Sequence, residues 1–266
     1  MMTNPFHMLR LQPDIPGLAR WAHAKSLVGP SLVGRSGDLS YALHAALMAV
    51  FGDDAPKPFR LVEKQGSEKR ETDPPMLLGY SDGDQQQLLA RAKRMDQPDL
   101  AKVLRLDSLA MKAMPERWAV GAQYHFEVRV RPIIRSDGKD GRQSVRERDA
   151  FLHACDQMGE GAHDWEDRED RVDRATIYAD WLAHRLEKSG GAHVIGRGEG
   201  RAGCELMAFQ RLRIARKNAA RKLHEIEGPD AIMSGLLEVT NSDHFHDLLR
   251  RGVGRHRAFG YGMLLL

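Results

Sequence analysis

Tyr41 and His44 stand three residues apart in a segment, Leu39 to Phe51, where Leu43, Ala46, Leu47 and Val50 recur at i, i+3, i+4 and i+7. The period predicts a helix with one buried face. At about 100° per residue the phenol and the imidazole fall together on its flank, roughly 100 to 160° from Leu43. Imidazole titrates near neutral pH and can give or take a proton. The pair therefore suits general acid–base chemistry, although a histidine and a tyrosine on a helix flank also occur as plain surface residues.

A second constellation closes the chain. Gly252-Val253-Gly254-Arg255-His256-Arg257-Ala258-Phe259-Gly260-Tyr261-Gly262 runs into the apolar Met263-Leu264-Leu265-Leu266. Glycine permits positive φ and close approach of backbones. Joined to Arg255, His256, Arg257 and Phe259, the residues Gly252, Gly254, Gly260 and Gly262 suit a loop that lies against the phosphates of a nucleic acid. Phe245, Leu248 and Leu249 recur at helical spacing behind Asn241 or Ser242, so the order is helix, glycine loop, strand. A dinucleotide fingerprint needs strand, glycine turn, helix, because its pyrophosphate sits on the helix N-terminus. That class is excluded.

The third is basic. In the strand pattern Leu206 to Ile214, Leu206, Ala208, Leu212 and Ile214 share one face, and Arg211 and Arg213 the other. Arg216, Lys217, Arg221 and Lys222 carry the charge into the turn, and no acid falls between Glu205 and Glu225. A two-stranded ribbon with such side chains can reach a duplex. His244 and His246 are two apart on a predicted helix and point away from each other. His153 and Cys155 fail likewise, and the acid-rich Asp164 to Asp173 lacks a calcium-loop pattern. No metal site and no cofactor are expected.

The elements that must position these groups are legible in outline. Strands are predicted at Phe6 to Leu11, Phe59 to Glu63, Met76 to Tyr80 and Val103 to Leu109. Helices are predicted at Leu18 to Val28, Leu39 to Phe51 with Asp38 as its cap, and Asp82 to Met95. The order βαββαβ is the ferredoxin-like plan, an antiparallel sheet covered on one side by two helices. The second half repeats it. Phe126, Val128 and Val130 alternate with charged residues as a half-buried strand. Then follow a polar loop Ser136 to Arg148, helices at Glu147 to Met158 and Arg174 to Lys188, strands at Glu205 to Arg216 and Ala231 to Val239, the terminal helix, the glycine loop and a last strand. The fold class expected is α+β, two tandem ferredoxin-like domains, with residues 1–119 carrying Tyr41 and His44 and residues 120–266 carrying the basic hairpin and glycine loop.

Composition agrees with that size. The 266 residues are 42% hydrophobic and 29% charged, with a formal net charge of +3 and a pI near 8.9. Net charge alone does not argue for nucleic acid. Its distribution does, because Asp164 to Asp173 is acidic while the chain from Arg211 onward is basic. Two isolated cysteines, Cys155 and Cys204, form neither a zinc ribbon nor a disulfide framework. No run of 18 apolar residues and no charged-then-apolar leader occur, so a cytoplasmic protein without membrane contact is expected.

Taken together, these residues resemble the CasE family, the CRISPR repeat-processing endoribonucleases of type I-E systems. The likeness rests on the Gly252 to Gly262 loop, on Tyr41-Ala42-Leu43-His44, and on Phe126-Glu127-Val128-Arg129-Val130-Arg131-Pro132, in that family's order and spacing. It implies cleavage of CRISPR repeat RNA at the 3′ base of its hairpin without a metal. His44 would be the catalytic histidine and Tyr41 its partner. It further implies that the mature guide RNA hairpin stays bound, with other type I-E Cascade subunits as partners and target DNA met only through that complex. The segment Ile15 to Gly37 before Tyr41 is longer than in compact members. The rival reading is a non-catalytic RNA-binding subunit of such a complex.

Overall fold

The computed structural model describes residues 5–27, 39–62, 74–136, 146–157, 173–196, 203–217 and 223–266. The first half begins with β1 (His7–Leu11), then helices α1 (Ile15–Ala24) and α2 (Ser40–Phe51), strands β2 (Phe59–Val62) and β3 (Met76–Ser81), helices α3 (Gln85–Met95) and α4 (Pro98–Val103), and β4 (Ala110–Ala113). Its antiparallel sheet has the order β2-β3-β1-β4. This is the ferredoxin-like order, reached because each helix returns the chain past the strand it has just left.

The fourth strand is displaced from the expected Val103 to Leu109. Pro98 suits the first turn of a helix, since its missing N–H has no partner there in any case. Leu100 and Leu104 then bury on a helical stripe. Arg105 turns left-handed (φ +51°), and only after a 3₁₀ turn at Leu106–Ser108 does the chain extend. Apolar spacing in 103–109 is compatible with either period. Other starts move by a few residues for the same kind of reason. Asp84 makes a capping box with Gln87, so α3 begins at Gln85, and Asp14 caps α1 through Gly17 N–H. Leu39, without a side-chain bond, precedes α2, and Asp38 lies outside the described residues. Within the long segment before Tyr41, α1 packs Leu18 and Ala22 into the first core.

The second half contains β5 (Gln123–Val130), β6 (Ile133–Ser136), β7 (Arg146–Asp149), α5 (Ala150–Gln157), α6 (Arg174–Ser189), β8 (Ala192–Val194), β9 (Cys204–Lys217), β10 (Leu223–Val239), α7 (Ser242–Arg251) and β11 (Leu264–Leu265). The sheet order is β11-β5-β10-β8, with β9 also paired to β10. The ferredoxin-like order recurs, and the fold is α+β with two such sheets. The expected polar loop from Ser136 to Arg148 instead has strand ends, since β6 and β7 pair as a two-stranded ribbon. That pairing also delays α5 to Ala150. β10 extends well before the expected Ala231, because the hairpin with β9 supplies partners for its backbone. A register shift at Ile232/Met233 interrupts the alternation in β9, leaving Ala208 exposed while Phe209 packs against Tyr178.

The halves share a core. Phe6 and Tyr80 from the first half lie in the second half's hydrophobic cluster, where Phe6 meets Tyr80 and the buried His246 edge-on. The Tyr80 hydroxyl donates to the Leu264 carbonyl at 2.8 Å. Arg60 on β2 reaches Glu127 on β5 at 2.5 Å, and Arg250 on α7 grips Asp82 with two bonds of 2.5 and 2.6 Å. Both cysteines are free thiols, and burial, with Asp180 adding to it, pushes the Cys204 thiol up to about 12. Among the described residues no helix is long and apolar enough to cross a membrane. Because the Leu264 carbonyl has its partner across this seam, Tyr80→Phe is expected to lower unfolding stability by about 1 to 3 kcal/mol, the cost of leaving a buried acceptor unpaired; the urea midpoint measures it.

Candidate nucleic-acid interface and Tyr41/His44 site

The glycine loop folds back over α2. Its ends are tied by main-chain bonds, Val253 N–H to the Gly262 carbonyl at 2.8 Å and Gly262 N–H to the Arg129 carbonyl at 2.7 Å. This closure explains Gly262. At φ +78° a Cβ there would stand 2.2 Å from the Val253 carbonyl oxygen, so no side chain fits. Gly254, at φ +73°, lies against the Trp181 ring, where a Cβ would stand 3.0 Å from the ring and the backbone would be strained.

The loop's tip is a 3₁₀ turn at Arg257–Phe259, entered through His256 in the left-handed conformation. It puts Phe259 on the flank of α2. The Phe259 ring meets His44 edge-on at 5.1 Å between centroids and lies 6.0 Å from Tyr41. The catalytic candidates and the candidate phosphate loop, over two hundred residues apart in the chain, form one site. His44 is half-buried there. Burial, and after it the charge of Lys57, hold its pKa below the ordinary 6.5, so the neutral imidazole dominates at pH 7.

Two residues without any mark in the sequence shape this site. Glu147, at the start of the second strand of the β6/β7 ribbon, is within 2.7 Å of Arg255 Nε and 2.9 Å of His256 Nε2. The His256 bond, with Arg255 and Arg131 nearby, holds the Glu147 carboxyl below the usual carboxylate range. Arg255 and His256, expected at the RNA, are thus in part structural, and Arg257 donates to the Arg251 carbonyl. Lys57 is the other. It precedes β2 and, with Gly254 to Phe259, lines a cleft of about 330 Å³. No spacing signal marks either residue, because each acts across the fold.

Beneath the loop lies the stretch Phe126 to Pro132. Arg129 binds Asp230 through two bonds of 2.7 and 2.9 Å, and its guanidinium sits over the Tyr261 ring at 4.6 Å. Gln210 also donates to Asp230, at 2.7 Å. The other basic residues lie on the long hairpin, whose strand β9 comes up to α2. Arg211 and Arg213 project from an exposed face of β9, as expected, but Glu227 on β10 takes one bond of 3.0 Å from each. The place of that acid on the partner strand hides it from a reading along β9. Arg216 and Lys217 continue the β9 backbone, and their side chains lie outside the described residues, as do Arg221 and Lys222 altogether. The acidic stretch Asp164 to Asp173 is likewise outside them, except for Asp173, which caps α6.

Two ferredoxin-like sheets, with a closed glycine loop from the second seated on a Tyr/His helix of the first, define a tandem ferredoxin-like protein. Residues 7–266 match the model of the CRISPR associated protein family, and the chain belongs to that family. Among solved structures it is similar to a CRISPR endoribonuclease Cse3 bound to a 19-nucleotide RNA, at 18% identity and a TM-score of 0.60, with 98% of each chain covered. It is also similar to Thermus thermophilus Cse3 bound to an RNA representing a pre-cleavage complex, at 16% identity, TM-score 0.58 and 98% of each chain. A CRISPR-associated protein from Thermus thermophilus aligns over 98% of each chain at 16% identity and TM-score 0.51. No curated protein sequence matches.

The Glu147 clamp has a measurable signature. Glu147→Gln is expected to cost about 1 to 2 kcal/mol, as charge-assisted bonds are lost at a partly exposed site. With the folded-state pKa depressed, the wild-type advantage is full above 4.5 and disappears as pH falls through the folded value. Urea midpoints of both proteins between pH 7 and 3 measure the difference.

Proposed function

We propose that this protein is a metal-independent endoribonuclease that cleaves CRISPR precursor RNA at the 3′ base of the repeat hairpin. The observation that carries the reading is the seating of Phe259 on His44 beside Tyr41. It joins a loop suited to an RNA backbone to the side chains suited to proton transfer. The relatives described as endoribonucleases bound to RNA support the substrate class.

RNA carries its own nucleophile, the 2′-hydroxyl before the scissile phosphate. Holding that oxygen in line with the leaving 5′-oxygen removes most of the need for an activated water. His44, neutral at pH 7, takes the 2′-hydroxyl proton; the oxygen attacks phosphorus, and the P–O5′ bond breaks as the leaving oxygen takes a proton from water. Tyr41 orients the phosphate or shares the proton transfer. The products are a 5′-hydroxyl and a 2′,3′-cyclic phosphate, which can open to a 3′-phosphate. Acid–base catalysis of this kind contributes roughly 10²- to 10⁴-fold.

Residues 1–119 supply the chemistry in this scheme, and residues 120–266 hold the RNA. A-form duplex hides its base edges in a deep groove, so recognition is mainly of shape and phosphate. Arg211, Arg213, Arg216, Lys217, Arg221 and Lys222 line the duplex along the hairpin. Gly252, Gly254, Gly260 and Gly262 let the loop, with Arg255, His256, Arg257 and Phe259, approach the backbone near the cut. Retention of the cut RNA and docking into Cascade in the cytoplasm follow the CasE resemblance, with high affinity and low turnover.

An end-labelled repeat RNA in excess chelator tests the reading, beside the same RNA with one 2′-deoxy at the scissile position. A single cut in the ribose RNA alone is expected. His44→Ala should bind equally and cut at least 10²-fold more slowly, and the wild-type rate should fall as pH drops below the depressed His44 pKa. Tight binding without cleavage by the wild type would select the non-catalytic RNA-binding subunit instead.

The hairpin is tested by salt. Arg211→Glu with Arg213→Glu should weaken RNA binding and flatten log K against log salt by about 0.7 to 0.9 for each phosphate no longer neutralised. Glu227→Gln, which frees both guanidiniums, should tighten binding.

A further inference from the structure

A cleft of about 410 Å³ opens at the seam of the two halves, outside the Tyr41/His44 site. One wall is the turn after α2 and the β3–α3 turn, with Asp53, Asp54 and Asp82. The other is the end of α7 and the glycine loop, with Arg250, Arg251 and Arg257. At first sight its charge is mixed. The ion pairs sort it. Asp82 is committed to Arg250 by two short bonds that hold its carboxyl below the usual range. Asp54 faces Arg91 at 3.5 Å, and Asp53, at 3.9 Å from the same guanidinium and 96% exposed, keeps one negative charge on the outer edge of that wall. Arg251 pairs with Asp247 at 3.2 Å.

Two cations remain. Among the described residues Lys57 and Arg257 have no acidic partner; Arg257 gives one N–H to the Arg251 carbonyl, which leaves its charge uncompensated. These two also line the smaller cleft beside Phe259, so the two clefts meet at Lys57 and Arg257. Lys57 and Arg257, without an acidic partner among the described residues, thus line both the cleft beside Phe259 and the larger one. Its volume is in the range of small-molecule sites, about 300 to 1,000 Å³, enough for a nucleotide with its phosphate.

We infer that this cleft is a binding subsite for the unpaired RNA strand immediately 3′ of the cut, with Lys57 and Arg257 bridging its first phosphates. The inference rests on the endoribonuclease reading. With the hairpin on the 5′ side of the cut and held by the second half, the strand beyond the scissile phosphate is single-stranded and needs a separate path. The seam cleft supplies one, since it is the larger of the two clefts that Lys57 and Arg257 line and Phe259 borders only the smaller. The subsite would hold the leaving strand in line with the 2′-hydroxyl before the cut, and would lose it afterwards, because two phosphate contacts alone bind weakly. It thus separates a product that departs from the hairpin that stays.

The test uses two repeat RNAs, each with a 2′-deoxy at the scissile position. One ends one nucleotide past the cut; the other extends three nucleotides further. Fluorescence anisotropy at low salt is expected to give about tenfold tighter binding of the extended RNA to the wild type. The extension should steepen the salt slope by about 1 to 1.5, from two phosphates at about 0.7 each. In Lys57→Gln with Arg257→Gln the gain from extension should drop to twofold or less, while the double variant keeps wild-type circular dichroism. A 4-thiouridine placed second past the cut should crosslink to the Tyr80 to Gly83 or Arg250 to Arg257 segments. Equal affinity of the two RNAs for the wild type, or a gain undiminished in the double variant, would overturn the subsite and leave the endoribonuclease reading standing. Failure of either RNA to bind would overturn that reading first, and the subsite with it.

Discussion

Two main-chain hydrogen bonds, from Val253 to Gly262 and from Gly262 to Arg129, hold the site in its shape. They close an irregular loop on itself and tie it to the strand β5, which is in the sheet's interior. Every other feature of the site follows from that closure. Phe259 can lie on α2 because the loop's two ends are fixed, and the ends are fixed because a side chain is missing at position 262. Glycine here supplies close approach as well as positive φ, which explains why the apolar strand follows it without a linker.

Rigid placement of the loop is a matter of charge as much as of backbone. Glu147 collects Arg255 and His256, Asp230 collects Arg129 and Gln210, and Asp82 collects Arg250. A buried pair such as Arg129–Asp230 adds little over an apolar replacement, but removing one partner is costly, about 3 to 5 kcal/mol, because the other charge stays buried alone. These pairs therefore act as geometric constraints. They also decide which cations face outward, since an arginine already paired within the fold has less to offer a phosphate than Lys57 or Arg257.

Much of the fold is legible in residues alone. The alternation of Phe126, Val128 and Val130, the period of Leu43 to Val50, and the helix, glycine loop, strand order at the end all appear in the structure where their patterns put them. Val103 to Leu109 does not, because leucines spaced for a strand are also spaced for the short helix and turn that Pro98 starts. The β6/β7 ribbon leaves no mark in the sequence because its strands are only four residues each and neither alternates apolar with polar residues. The acid-free face of Arg211 and Arg213 is correct along the chain and incomplete in space, since the hairpin brings Glu227 across to them.

The sequence by itself determined the two candidate elements, Tyr41/His44 on the flank of an apolar helix and a glycine loop before a final strand, because spacing and backbone freedom are local properties. That they form one site was decided only by the tertiary structure. Burial of Phe6 and Tyr80 in the second half's core and the closure at Gly262 bring Phe259 to His44. The roles of Glu147 and Lys57 were decided there too. Coulomb interactions and hydrogen bonds act through space, and nothing in a linear pattern tells a carboxylate which arginine the fold will bring to it.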